Sequence, residues 1–135
     1  MGSKKDTFEH SLLDLIFLNA AIANIGSAGG LQPASAAGNL YVALFTVIPS
    51  DSAQGTETTY TDYARVAVAR TTGGWTVSGN SCTNAGLITF PVCGATAGGP
   101  LVGFAICTGD VEGVDNQLYW GALTSLIINP GITPE

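Results

Sequence analysis

The side chains in this sequence that could do chemistry are its acids, its single histidine, its cysteines and its aromatics. The acids of the β-rich part form two loop clusters, Asp51, Glu57 and Asp62, then Asp110, Glu112 and Asp115. Carboxylates held a few ångströms apart can cleave a glycosidic bond, and oxygen-rich loops can hold calcium. Neither cluster has the ligand spacing of an EF-hand, and acids at loop tips read first as solvating groups. His10 falls in the first turns of a predicted helix, and no Ser or Cys sits in a context such as G-x-S-x-G, so no base is paired with a nucleophile. The sequence therefore assigns no catalytic residue, no metal and no cofactor, and the expected protein is not an enzyme.

Cys82, Cys93 and Cys107 are odd in number, which permits at most one internal bridge. Cys82 and Cys93 flank a predicted strand and could pair if the chain folds back there; a reduced, buried trio is the other reading. There is no C-x-x-C pair for zinc. Trp75, Trp120, Tyr41, Tyr60, Tyr63 and Tyr119 could stack on sugars, with Tyr60 and Tyr63, at a loop edge, the best placed. Aromatics in strands more often pack inward. Arg65 stands in a run otherwise rich in Ala and Val, so it must reach solvent or find an acid, and Glu57 or Asp62 is near enough in sequence. A structural ion pair of Arg65 with Glu57 is expected, with an intersubunit contact as its rival.

These residues need elements to place them. Asp6 followed by Glu9 has the form of a capping box, and Phe8, Leu12, Leu15, Ile16, Ile22 and Ala23 recur at helical spacing up to Gly26, with Asn19 interrupting the stripe. Leu13, Phe17, Ala20 and Ala21 widen the apolar surface beyond one stripe, so the helix is expected to be buried on most sides. The apolar run at 11–25 resembles a signal segment, but Asp6, Glu9 and Asp14 oppose insertion, and the run is too short and interrupted to span a bilayer. Residues 26–39 are small and turn-rich, a flexible connector. Strands are predicted at 40–47, 63–69, 75–77, 87–90, 101–107, 117–124 and 125–128 from their β-branched and aromatic content. The run 101–107, apolar almost throughout, is expected to be central. The polar stretches 48–62 and 78–86 read as loops.

The fold class that follows is mainly β: an antiparallel β-sandwich or barrel-like domain preceded by one N-terminal α-helix. Residues 1–135 make a single domain, with the helix over 1–25, the connector over 26–39 and the β domain over 40–135. Heptads and internal repeats are absent.

Charge limits the partners. Charged residues are 10% of the chain, against a usual quarter, and the net charge is −6. No Lys or Arg follows Arg70, so phosphate contacts on one face cannot be assembled, and neither nucleic acid nor membrane is an expected partner. A surface this poor in charge points to coverage by other protein.

The order of the motifs resembles a known family. Leu40-Tyr41-Val42-Ala43-Leu44-Phe45-Thr46 with Pro49 and Asp51, then Gly55-Thr56-Glu57 and Tyr63-Ala64-Arg65, is similar to a widespread family of small tailed-phage virion proteins, often labelled tail fibre-like. Trp75, Asn84, Ile88 with Phe90-Pro91, Gly103-Phe104-Ala105-Ile106 and Gly121-Ala122-Leu123 extend the likeness over most of residues 8–131. The resemblance implies a non-enzymatic virion protein made in the bacterial host cytoplasm. A capsid decoration (cement) protein is the primary expectation; a tail fibre or baseplate component, or a carbohydrate-binding receptor module, is the alternative. Its partners would be itself, as a homo-oligomer such as a trimer, and the major capsid or tail proteins. Contacts are expected at Leu13, Phe17 and Ala21 on the helix and at Pro49, Asp51, Glu57 and Asp62 in the first long loop. Members of that family commonly add a strand after the position of Gly131, which implies here either a truncated sequence or an edge open to a neighbour's strand.

Overall fold

The computed structural model describes residues 4–135, so the first three residues of the segment 1–25 lie outside the described residues. Among the described residues the chain is mainly β, with one helix and seven strands: α1 (Asp6–Leu18), β1 (Asn39–Val47), β2 (Thr56–Glu57), β3 (Val66–Ala69), β4 (Trp75–Ser78), β5 (Ser81–Asn84), β6 (Gly99–Cys107) and β7 (Gln117–Ile128). It divides into two compact units, one of residues up to Asn39 with Val68–Leu87, the other of Leu40–Ala67 with Ile88–Glu135.

In the first unit α1 is shorter than its apolar stripe suggests. It ends at Leu18 because Asn19 adopts the left-handed conformation (φ 54°), which few residues but Gly and Asn enter readily. Asn19 then clips the connector: its Nδ2 donates to the Ala34 carbonyl and its Oδ1 accepts from the Ala34 amide, both at 2.9 Å. Ile22 and Leu31 exchange backbone hydrogen bonds in the same segment, so the small-residue connector is pinned at two places. At the other end Asp6 is the first helical residue, Lys5 occupies the cap position, and no side chain caps the helix. Asp6 and Glu9 therefore act through their charge in the first turn, next to the positive end of the helix dipole, and no capping box forms.

The hairpin β4–β5 pairs Trp75 with Asn84 and Ser78 with Ser81. Its turn is Gly79-Asn80, with Gly79 at φ +59°, a two-residue connection of the kind that suits strand twist. The polar sequence Ser-Cys-Thr-Asn, expected as loop, is thus a strand. Phe17 packs edge-on against Trp75 at 4.9 Å between centroids, and His10 Nδ1 lies 2.8 Å from the Gly79 carbonyl. The last turn of α1 holds no basic residue; Arg70 supplies the cation from elsewhere in the unit. Its guanidinium donates to the carbonyls of Ile16 (2.6 Å), Ala37 (3.0 Å) and Leu15, satisfying acceptors that the helix end leaves unpaired.

The second unit is built on an antiparallel ladder in the order β2-β1-β6-β7, with β3 also pairing β1. β6 is flanked by β1 and β7, the central position its apolar run predicts. Directly opposed residues share a face: Tyr41, Ala43 and Phe45 face Cys107, Ala105 and Gly103, and Ala43, Phe45, Ala105 and Cys107 are the buried cluster against which Tyr41 packs. Leu44 opposite Phe104 and Val42 opposite Ile106 cover the other face. Gly121 sits opposite Phe104 in the β6–β7 pairing, and a Cβ there would lie 2.7 Å from the ring, so the aromatic occupies the space that glycine leaves. β7 is one strand of twelve residues, 117–128, with register shifts opposite Leu101/Gly103 and Ile106/Cys107.

Residues 87–90 form no strand. Phe90 instead donates its amide to the Pro134 carbonyl, while Cys93 and Gly131 exchange with the C-terminal segment through Cys93 N to Ile132 O and Gly131 N to Cys93 O. All three cysteines are free thiols, so no bridge joins Cys82 and Cys93. Burial pushes the Cys107 thiol up to about 11, which keeps it protonated and unreactive at neutral pH.

The Arg70 contacts give a direct test. Replacing Arg70 by Met keeps the aliphatic stem and removes hydrogen bonds that, to a charged donor, are each worth about 1.5–3 kcal/mol. Hydrogen exchange should speed up selectively in the last turn of α1; unchanged protection there would show that the guanidinium does not hold the helix end.

Candidate functional site

The densest polar construction in the protein is inside the second unit. Arg65 and Glu57 pair face to face, Nε to Oε1 and Nη2 to Oε2, both at 2.8 Å, with side chains 0% and 5% exposed. The expected partner is therefore the observed one, while Asp62 is an exposed turn residue at φ 73°. The remaining donors of Arg65 reach a loop far away in sequence. Nη1 donates to the Gly109 carbonyl (2.8 Å) and to Asn116 Oδ1 (2.7 Å), and Nη2 also to the Val114 carbonyl (3.3 Å). Every N–H of the guanidinium has an acceptor.

Glu57 is equally well supplied. It accepts the Tyr63 hydroxyl at 2.7 Å and the Gly113 amide at 2.7 Å. Burial pushes its carboxyl up, but the Arg65, Gly113 and Tyr63 hydrogen bonds and the nearby charge of Arg65 outweigh that and hold it below its usual value. Arg65 is raised, first through its hydrogen bonds to Glu57. Tyr63 also accepts the Leu44 amide at 3.0 Å, so one hydroxyl ties the ion pair to β1. Its phenol is pushed far above the ordinary value, mainly by burial.

This hub fixes the loop 108–116, whose ends are closed by Thr108 N to Asn116 O at 3.0 Å. One consequence is a surface cleft of about 320 Å³ lined by Pro49, Ser50, Asp51, Ser52, Ala53, Asp115, Gln117 and Trp120. It brings Asp51 from the first acidic cluster and Asp115 from the second to one place, a convergence that no local sequence signal announces. Among the described residues no group of three or more His, Cys, Asp or Glu is placed to hold a metal ion.

The other sequence-predicted residues are scattered. Tyr60 and Tyr63, expected as a sugar platform, are 2% and 8% exposed: their rings pack edge-on at 5.2 Å, Tyr63 stacks on Phe90, and the Tyr60 hydroxyl donates to the Pro91 carbonyl. Burial pushes the Tyr60 phenol up to about 12. Of the expected contact residues, Phe17, Pro49 and Glu57 are buried inside their own units, Leu13 is half-buried, and Ala21, Asp51 and Asp62 are exposed. Ala21, Asp51 and Asp62 are thus the most open of these positions.

The structure has a mainly-β fold with one N-terminal helix and a buried ion pair that ties a distant loop to the sheet, and the family comparison supplies its class, that of a phage virion structural protein. The chain belongs to the family of the podophage GP4 fiber I protein gp80, whose family model matches residues 4–133. No curated protein and no solved structure matches it. Membership makes it a phage virion structural protein; the capsid-decoration expectation draws no support from the match, and the fibre alternative fits better.

The hub predicts a pH dependence. Because the Glu57 carboxyl is depressed when folded, its stabilisation is complete above the unfolded value near 4.5 and is lost as pH falls through the folded value, where the unfolded chain already binds the proton. Glu57→Gln should cost about 3–5 kcal/mol at pH 7, since Arg65 is left buried without its counter-charge. It should also flatten the acid limb of stability in urea titrations from pH 7 to about pH 3. Equal acid limbs in the two proteins would mean that Glu57 carries none of this linkage.

Proposed function

We propose that the protein is a non-enzymatic tail fibre component that assembles with copies of itself and with other virion proteins. The observation that carries this reading is β7. It lies at the end of the strand order, paired with β6 on one side, and its twelve residues contain no charge. Leu118, Tyr119, Trp120, Leu123, Leu126 and Ile127 are each at least 39% exposed. Edge strands of soluble monomers are usually blunted with Lys, Pro or inward charges, and none occurs here. Toward its C-terminal end the exposed side chains Leu123, Leu126 and Ile127 are all apolar, with no charge beside them in the strand, which favours a second, equally neutral copy.

Light scattering on the eluting protein should show an oligomer. Ile127→Lys, at a site 65% exposed, should dissociate it without lowering the unfolding midpoint of the monomer. A wild-type chain that stays monomeric at every concentration would end the self-assembly reading. Immunogold labelling of virions separates the locations: label confined to fibres or tail supports the fibre reading, and label spread over the capsid would restore decoration.

A further inference from the structure

We propose that the cleft between the 50–53 turn and the start of β7 is a binding site for a neutral saccharide. The assignment does not rest on self-assembly and concerns a different end of β7. Its volume of about 320 Å³ is at the small end of ligand pockets, which suits a short oligosaccharide.

Both walls are held in place before any ligand arrives. On one side residues 50–53 form a turn closed by reciprocal backbone hydrogen bonds, Ser50 N to Ala53 O at 2.8 Å and Ala53 N to Ser50 O at 3.3 Å. On the other, Asp115 and Gln117 flank Asn116, whose side chain is gripped by Arg65 at 2.7 Å. Gln117 Nε2 reaches across to the Gln54 carbonyl at 3.4 Å, bracing the walls against each other. Positioning of this kind lowers the ordering cost of binding.

The lining has the chemistry of sugar recognition. Trp120 is 39% exposed, an apolar plane onto which the C–H face of a pyranose can stack. The lining also includes Asp51, Asp115, Ser50, Ser52 and Gln117, residue types whose carboxylates, hydroxyls and amide can accept from adjacent hydroxyl groups and donate to ring oxygens. The aromatic platform is thus Trp120, in place of the buried Tyr60 and Tyr63. No Lys or Arg lines the cleft, so an anionic ligand would meet two carboxylates with no compensating cation. Selectivity for uncharged over uronic-acid-bearing saccharides follows.

The wild-type protein should bind one or more neutral members of a printed array of neutral and uronate oligosaccharides. Titration of the best neutral member should shift tryptophan emission to the blue, because Trp120 is half-exposed while Trp75, the other tryptophan, is 4% exposed. Trp75→Phe should keep the response. Trp120→Ala should abolish it, and Asp115→Asn should weaken binding about ten-fold, the size of one good polar contact. Both positions are exposed, so an unchanged unfolding midpoint verifies that these variants are folded. Ile127→Lys should still bind, which separates this site from the assembly surface. The proposal is overturned if no neutral saccharide binds, if uronates bind equally well, or if Trp120→Ala binds like the wild type.

Discussion

Moving a carboxylate and a guanidinium out of water costs several kcal/mol per ion, and their attraction offsets that only when the remaining lone pairs and N–H groups are also satisfied. Glu57 and Arg65 meet that condition through acceptors and donors on Gly109, Gly113, Val114, Asn116 and Tyr63. The pair therefore cannot be buried unless the 108–116 loop closes over it and Tyr63 turns inward toward β1. A two-residue strand, β2, is what delivers Glu57, opposite Phe45 of β1. The loop conformation, the inward Tyr63 and the shape of the cleft are all consequences of one requirement, that no charge in the hub be left unpaired.

How much of this the sequence discloses depends on the range of the interaction. Arg65 in an Ala/Val run demands an acid, and Glu57 lies eight residues away, so the pair is legible. Asn116 and Gly109 are 51 and 44 residues from Arg65, and nothing in their local sequence marks them as its acceptors. Strands β1 and β6 are legible because burial on both faces demands a continuous apolar run. β5 is not, because Ser81–Asn84 is a short polar segment with no apolar alternation, held by pairing with β4 across Gly79-Asn80. That Gly-Asn pair was the available signal. The end of α1 was signalled as well: Asn19 breaks the apolar stripe and enters the left-handed region where the helix stops.

The site illustrates the same division. Aromatics at a loop edge look available from sequence, yet Tyr60 and Tyr63 are drawn inward because each hydroxyl finds a buried partner, the Pro91 carbonyl for one and Glu57 with the Leu44 amide for the other. Trp120 reads as an ordinary strand aromatic, and it is left at the surface because β7 ends the sheet order. Residue type predicts what a side chain can do, whereas sheet order decides whether anything can reach it.

The scarcity of charge acquires a specific meaning once the basic residues are traced. Arg65 is enclosed in the hub, Arg70 is bound to backbone carbonyls, and Lys4 lies 3.8 Å from Glu9. Most of the positive charge is thus used within the units, while acids such as Asp51, Asp62, Asp110, Glu112 and Asp115 remain exposed. The long-range field of such a surface is negative, and it disfavours anionic partners of any kind. Uncharged partners would be held instead by short-range burial of apolar surface, to which β7 contributes Leu118, Tyr119, Trp120, Leu123, Leu126 and Ile127. On the proposed readings a chain so poor in charge would still be selective: its acids would repel anionic partners, and its neutral strand would bind uncharged surface.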